Sequence, residues 1–209
     1  SPCDSRQRHE NRADRWAIKK LIPEDELEEA VAELARLQRE GTIRAIGLCN
    51  VSAEEVRRAN GVAPIACVQN EYSLLHPQRG EEVFRVCREL QIGFVGYGTL
   101  CGGILSGKYK TAPNLRRADA RNYFYKCYRA DGFEQVQPVV ARVKQVARQY
   151  NCPPSAVAVA WALRKAEVTS VLCGSRCGEQ VVQNIQGAAL KLTEQDLAVL
   201  EGENEYYGN

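Results

Sequence analysis

From Pro23 onward the chain alternates between two hydrophobic periods. Residues 24–39 place Leu27, Val31, Leu34, Ala35 and Leu37 near one helical face. Glutamates gather toward the N-terminal end of that segment and arginines toward its C-terminal end, which complements a helix dipole. Gly41 stops the helix. Residues 43–50 then form a short apolar run that reads as a buried strand, and Ser52-Ala-Glu-Glu55 is a capping box opening the next helix. The same alternation predicts strands over 66–72, 93–100 and 170–174. It predicts helices over 80–90, 134–150, 155–165 and 178–187, and a last helix opened by Thr193. Four largely apolar strands separated by helices predict a parallel sheet covered by helices. No sequence period accompanies this alternation.

Length and composition narrow the picture. The 209 residues suffice for one domain with a sizeable core, yet fall short of the roughly 250 of a complete (β/α)8 barrel. With 44% hydrophobic and 26% charged residues the chain is ordinary globular protein. No apolar run approaches the ~18 to 20 residues that cross a bilayer, so no membrane insertion is expected. A net charge of +2 with interspersed signs gives no footprint for nucleic acid. The most basic stretches, 6–20 and 116–129, read as solvated surface or a disordered arm.

Nine cysteines occur without a CxxC, beside two histidines, which argues against a zinc site. Several, such as Cys67 and Cys173, stand in apolar runs, as small buried hydrophobes do. Free thiols in a reducing, intracellular compartment are expected. Methionine is absent even at position 1, which implies a processed, trimmed or fragmentary start. Residues 1–22 are expected to be a divergent loop or disordered arm, and 23–209 the folded domain.

In parallel α/β folds ligands sit beyond the carboxyl ends of the strands. The residues there are Cys49 and Asn50, Gln69 to Tyr72, Tyr97 to Leu100, and Gly174 to Arg176. Amides, an aromatic ring and an arginine on one rim suit an amide-bearing, phosphate-bearing cofactor.

At these positions the sequence resembles the aldo-keto reductases, in the branch that includes the potassium-channel β subunits. The matching stretches are Arg39-Glu-Gly-Thr-Ile-Arg-Ala-Ile-Gly-Leu-Cys-Asn50, Val68-Gln-Asn-Glu-Tyr-Ser-Leu-Leu75, Tyr97-Gly-Thr-Leu-Cys-Gly-Gly-Ile-Leu-Ser-Gly-Lys-Tyr109, and Leu172-Cys-Gly-Ser-Arg176 with Gln180, Gln183 and Asn184. The resemblance implies a partial (β/α)8 TIM barrel made of family strands five to eight, truncated at the N-terminus. It also implies NADP(H)-dependent carbonyl reduction. By that resemblance Cys49, Asn50 and Gln69 hold the nicotinamide carboxamide, with Cys49 in place of the usual serine and a weaker donor for it. Buried amides that hold loop backbone are the other use of such residues. Tyr97 would stack on the nicotinamide. Gly98, Thr99, Leu100, Gly103, Leu105 and Lys108 belong to the loop that would meet the pyrophosphate. Gly174, Ser175 and Arg176, at a helix N-terminus, would take a 2′-phosphate, and Gln180, Gln183 and Asn184 the adenosine end.

The family's catalytic tyrosine, lysine, aspartate and histidine come from the first half of its barrel, and none is assigned here. Trp16-Ala-Ile-Lys-Lys-Leu21 contains no histidine. His76 and the loop tyrosines Tyr123, Tyr125 and Tyr128 read as surface or loop packing, and His9 lies in the arm. The resemblance thus leaves two functional readings, an aldo-keto reductase inactive alone or a pseudoenzyme serving as a structural or regulatory subunit. A half barrel would expose two sheet edges, to be covered by a second copy, an N-terminal half or a larger assembly.

Overall fold

The computed structural model describes residues 26–202 apart from 117, 118, 120 and 129. The expected arm over 1–22, with His9, lies outside the described residues. In chain order the elements are α1 (Leu27–Arg39), β1 (Gly47–Cys49), α2 (Ala53–Val62), β2 (Cys67–Glu71), α3 (Glu81–Leu90), β3 (Gly93–Tyr97), α4 (Arg121–Phe124), α5 (Ala130–Gln149), α6 (Pro154–Leu163), β4 (Val168–Val171), α7 (Gly178–Ala189) and α8 (Glu194–Glu201). The four strands form one parallel sheet in the order β1-β2-β3-β4.

Local chemistry accounts for the element ends. At α2, Glu55 N–H donates to Ser52 Oγ at 3.3 Å and Ser52 N–H donates to the Glu55 carboxylate at 2.7 Å, the expected box. Thr193 and Asp196 make the same box at α8. The strands are shorter than the apolar runs suggest. β1 pairs with β2 over three residues only, Gly47 to Cys49. β3 ends at Tyr97 because Gly98 turns the chain at φ +68°. β4 begins two residues early, at Val168, which pairs with Phe94 before a register shift at Val95. α5 starts earlier than expected and runs through Pro138, which costs it one backbone donor without ending it.

Alternate strand residues divide the sheet into two faces. Val68, Asn70 and Phe94 are buried beneath the helices, whereas Gln69, Val95 and Tyr97 are only partly covered. Under the covered face, Tyr72 stacks on Trp161 at 5.0 Å between ring centres, and Phe84 meets Tyr72 and Phe94 edge-on. The polar atoms of this cluster are satisfied. Trp161 Nε1 donates to Glu201 at 2.8 Å, and Arg164 donates to Tyr72 Oη at 2.8 Å while lying over the Trp161 ring. α6 and α8 are thereby tied to each other and to the sheet.

Candidate functional site

The rim at the carboxyl ends of the strands is built from three segments. The first joins β1 to β3. Asn50 follows β1 with φ +57°, in the left-handed region that asparagine tolerates, and its Oδ1 accepts from Tyr97 Oη at 2.6 Å. That bond fixes the edge of the Tyr97 ring. Cys49 is in register with Gln69, and its Sγ lies 3.8 Å from Gln69 Oε1, a weak thiol contact. The amide that holds loop backbone is the next one along: Asn70 accepts from Val51 N–H at 3.1 Å and donates to Val51 O at 2.7 Å.

The second segment is the glycine-rich turn after β3. Gly103 has φ +107°, which a side chain would strain, and a Cβ there would stand 3.4 Å from Lys108 Nζ. Lys108 therefore folds back across the turn. Thr99 is 1% exposed and its Oγ1 has no hydrogen-bond partner among the described residues. Leu105 is wholly buried in the core.

The third segment is the start of α7. Arg176 N–H donates to Gln180 Oε1 at 2.9 Å, Asn184 Nδ2 donates to Ser175 Oγ at 3.1 Å, and Gln183 donates to Glu179 at 3.2 Å. Cys177, at the N-cap, makes no side-chain capping bond, so the first N–H groups of α7 are not capped by it.

Between the second and third segments lies a cavity of about 1360 Å³. Its walls include Tyr97 to Leu100, Gly103 and Lys108 on one side, and Gly174 to Arg176 with Gln180, Gln183 and Asn184 on the other. Cys49, Asn50, Gln69 and Leu105 are not among its walls. Asn50 reaches the site through Tyr97. His76 is not a wall residue either, and its Nε2 lies 3.8 Å from Glu71 Oε1, both side chains mostly buried. The side chain of Tyr123 lies outside the described residues.

One wall residue was not legible as a site residue. Arg121 belongs to the basic stretch that reads as solvated surface, yet its guanidinium is mostly buried and held in place. It donates to Asp119 Oδ1 at 2.9 Å and Oδ2 at 2.6 Å, donates to Tyr109 Oη at 3.2 Å, and lies over the Tyr128 ring. Tyr128 in turn donates to Gly102 O at 2.6 Å, coupling Arg121 to the glycine-rich turn. Tyr128 packs in the core and Tyr125 lines the cavity. The spacing Asp119-x-Arg121 among tyrosines was the available signal.

Electrostatics follow this geometry. Hydrogen bonds from Arg121 bring the Asp119 carboxyl down to about 2, with the charge of Arg176 contributing. Burial pushes the Tyr125 phenol up. Burial also pushes Tyr109 up, but its hydrogen bond with Tyr128 and the charges of Lys108 and Arg121 outweigh that and leave it below the ordinary phenol range. Tyr109 is not a wall of the cavity. Among the described residues no group of three His, Cys, Asp or Glu could hold a metal ion, and no helix is long and apolar enough to cross a membrane. Among the described residues eight cysteines are free thiols, with Cys87, Cys101 and Cys127 buried.

Comparison with known proteins assigns this arrangement a lineage. The profile of the Aldo/keto reductase family matches residues 4–205. Aldo-keto reductase str7 of Strobilurus tenacellus is 32% identical over 186 residues, covering 87% of this chain and 54% of that protein. Probable aldo-keto reductase 1 of Glycine max is 34% identical over 173 residues, covering 82% of this chain and 49% of that one. Among solved structures, the glycerol dehydrogenase AKR11B4 from Gluconobacter oxydans superposes with a TM-score of 0.76 at 25% identity, covering 86% of this chain and 55% of its own. The thermostable aldo-keto reductase Tm1743, solved with the inhibitor epalrestat, gives 0.63 at 21% identity, covering 87% and 55%, and supports the fold alone. The chain spans about half the length of the relatives it matches.

Proposed function

The chain belongs to the aldo/keto reductase family, and from that premise we propose that its cavity binds NADP(H) and serves carbonyl reduction, with its four strands standing as family strands five to eight. The observation that carries this reading is convergence. Residues singled out from separate sequence stretches, Tyr97 to Lys108 and Gly174 to Asn184, face one another across a single cavity.

The donor set fits the group. Arg176, Ser175 and the start of α7 would take a 2′-phosphate, which favours NADP over NAD. The backbone of the glycine-rich turn, Lys108, Arg121 and the unpartnered Thr99 hydroxyl would meet the pyrophosphate. The cavity exceeds the roughly 300 to 1,000 Å³ of common small-molecule pockets, as an extended dinucleotide requires. Tyr97, its ring anchored by Asn50, would form the floor for the nicotinamide, whose carboxamide Asn50 and Gln69 would bind. When bound there, the cofactor would supply a hydride to a carbonyl carbon.

Among the described residues the phenols near the cavity supply no matching proton source. Tyr97 already donates to Asn50, Tyr125 is held protonated by burial, and Tyr109 lies behind the wall. That favours a protein whose turnover depends on groups beyond the described residues, or a pseudoenzyme subunit that keeps the binding loops. The free thiols fit a reducing compartment. Calorimetric titration with NADPH and NADH tests the binding reading. Saturable NADPH binding that is tighter than NADH binding supports it, and no binding of either at millimolar cofactor removes it.

A further inference from the structure

We propose that Cys173 and Cys177 are a thiol–disulfide site: in exchange with a low-molecular-weight disulfide they form a reversible bond that closes the loop carrying Gly174, Ser175 and Arg176. The bond is independent of the cofactor reading, and only its expected effect on NADPH rests on that reading.

Place and exposure set the pair apart. Among the described cysteines, Cys173 and Cys177 are the two that line the cavity, and they bracket Gly174-Ser-Arg176 in sequence. Cys177 is exposed at the N-cap of α7, where its side chain makes no capping bond, so a solute can reach it. Cys173 is partly buried, and burial pushes its thiol up to about 11, which keeps it from reacting first. An accessible thiol beside a second that resolves it is the arrangement of redox-responsive cysteines.

The loop between them is free to bring the sulfurs together. At one end Leu172 N–H donates to Gly96 O at 2.7 Å, and at the other Cys177 O accepts from Val181 N–H at 3.4 Å. Among the described residues no backbone–backbone hydrogen bond lies between those two. The loop is held there by two side-chain bonds, Arg176 N–H to Gln180 and Asn184 to Ser175 Oγ, each contributing about 1 kcal/mol. A Cβ at Gly174 or Gly178 would meet no atom within 4 Å, so the surroundings leave room for a turn. A turn is required, because Cα atoms four residues apart in extended chain are about 13 Å apart. A disulfide needs roughly 4.4 to 6.8 Å.

The exchange balances. The Cys177 thiolate attacks one sulfur of the small disulfide, a mixed disulfide forms, and one small thiolate leaves and takes up the Cys177 proton. Deprotonated Cys173 then attacks the Cys177 sulfur, the mixed bond breaks, and the second small thiol leaves with the Cys173 proton. Two cysteine thiols are oxidised and one disulfide is reduced to two thiols. The turn takes Arg176 N–H from Gln180 and carries Arg176 off the cavity wall.

Oxidised glutathione added to the folded full chain tests this, with non-reducing peptide mapping and NADPH calorimetry on the same samples. A Cys173–Cys177 bond that dithiothreitol removes is expected, with the NADPH dissociation constant raised about tenfold or more while it is present. Cys177→Ser puts a favourable capping residue at an exposed position, so the chain keeps its circular dichroism. Its NADPH affinity should not respond to oxidised glutathione. A lasting glutathione adduct on Cys177, a bond from either cysteine to a different one, or no change at either thiol overturns the proposal. A Cys173–Cys177 bond that leaves NADPH binding unchanged overturns the movement of Arg176. A reduced chain that binds no NADPH defeats the cofactor reading alone, and the peptide map still decides the bond.

Discussion

Asp119 and Arg121 are two residues apart, and the ion pair between them is what turns a basic loop into a cavity wall. NMR titration should find the Asp119 carboxyl near 2, and Arg121→Ala should return it toward the ordinary carboxylate range. The folded value lies below the unfolded one, so the pair's stabilisation is whole above about pH 4 and fades as pH falls toward 2. The difference in stability between the parent chain and Arg121→Ala should shrink over that window. Arg176 is the second residue with a sharp expectation. A charge-assisted contact contributes roughly 1.5 to 3 kcal/mol, so Arg176→Ala should weaken NADPH binding about 10- to 100-fold and leave NADH binding nearly unchanged. Equal losses would detach Arg176 from the 2′-phosphate. Tyr97 and Arg176 were legible because each stands at or just beyond the carboxyl end of an apolar run, where ligands are met. Arg121 was not, since a mostly buried arginine and a solvated one look alike until the partner carboxylate is placed beside it.

At the scale of elements, helix caps were the most legible features, because the groups that satisfy the first N–H donors are adjacent in sequence. Ser52→Ala should lower stability by about 1 kcal/mol in urea denaturation, and Ser52→Asn should restore most of it. A gain on Ser52→Ala would mean that the box is not formed in solution. Packing between helices was not legible. Gly187 on α7 lies against α6, and a Cβ there would stand 2.5 Å from Ala156 O and 2.6 Å from Val159 Cβ. Gly187→Ala should destabilise by about 1 to 3 kcal/mol, although alanine is the better helix former, because the two helices must separate to admit a methyl group. Thermal unfolding decides it: a raised midpoint would show that propensity outweighs the contact. Strand lengths were overestimated for a related reason. An apolar run records burial, whereas a strand ends where its neighbour's hydrogen bonds end, as β1 does after Cys49.

For the whole molecule, the order of strands and helices was enough to predict a parallel sheet, but the division of labour around the cavity emerged only when the chain was folded. The side proposed for the adenosine is walled by residues of one continuous segment, Gly174 to Asn184, and faces the glycine-rich turn. On the side proposed for the nicotinamide, Cys49, Asn50 and Gln69 lie outside the cavity walls, and Tyr97 joins Asn50 to it. Binding by this chain should therefore be strongest at the adenosine end, and 2′,5′-ADP should retain most of the affinity shown by NADPH. Carbonyl reduction should not follow from binding. Hydride transfer to a carbonyl needs a proton delivered to its oxygen, and loss of general acid catalysis alone is worth about 10² to 10⁴ in rate, before poor positioning is counted. The wall phenols do not fill that role: Tyr97 is committed to Asn50 and burial holds Tyr125 as the neutral phenol. NADPH consumption with an activated aldehyde should thus stay at the background rate at pH 7 while 2′,5′-ADP still binds. Turnover that follows the protein through purification and disappears in Tyr97→Phe would show instead that the Tyr97 hydroxyl leaves Asn50 and acts as the acid.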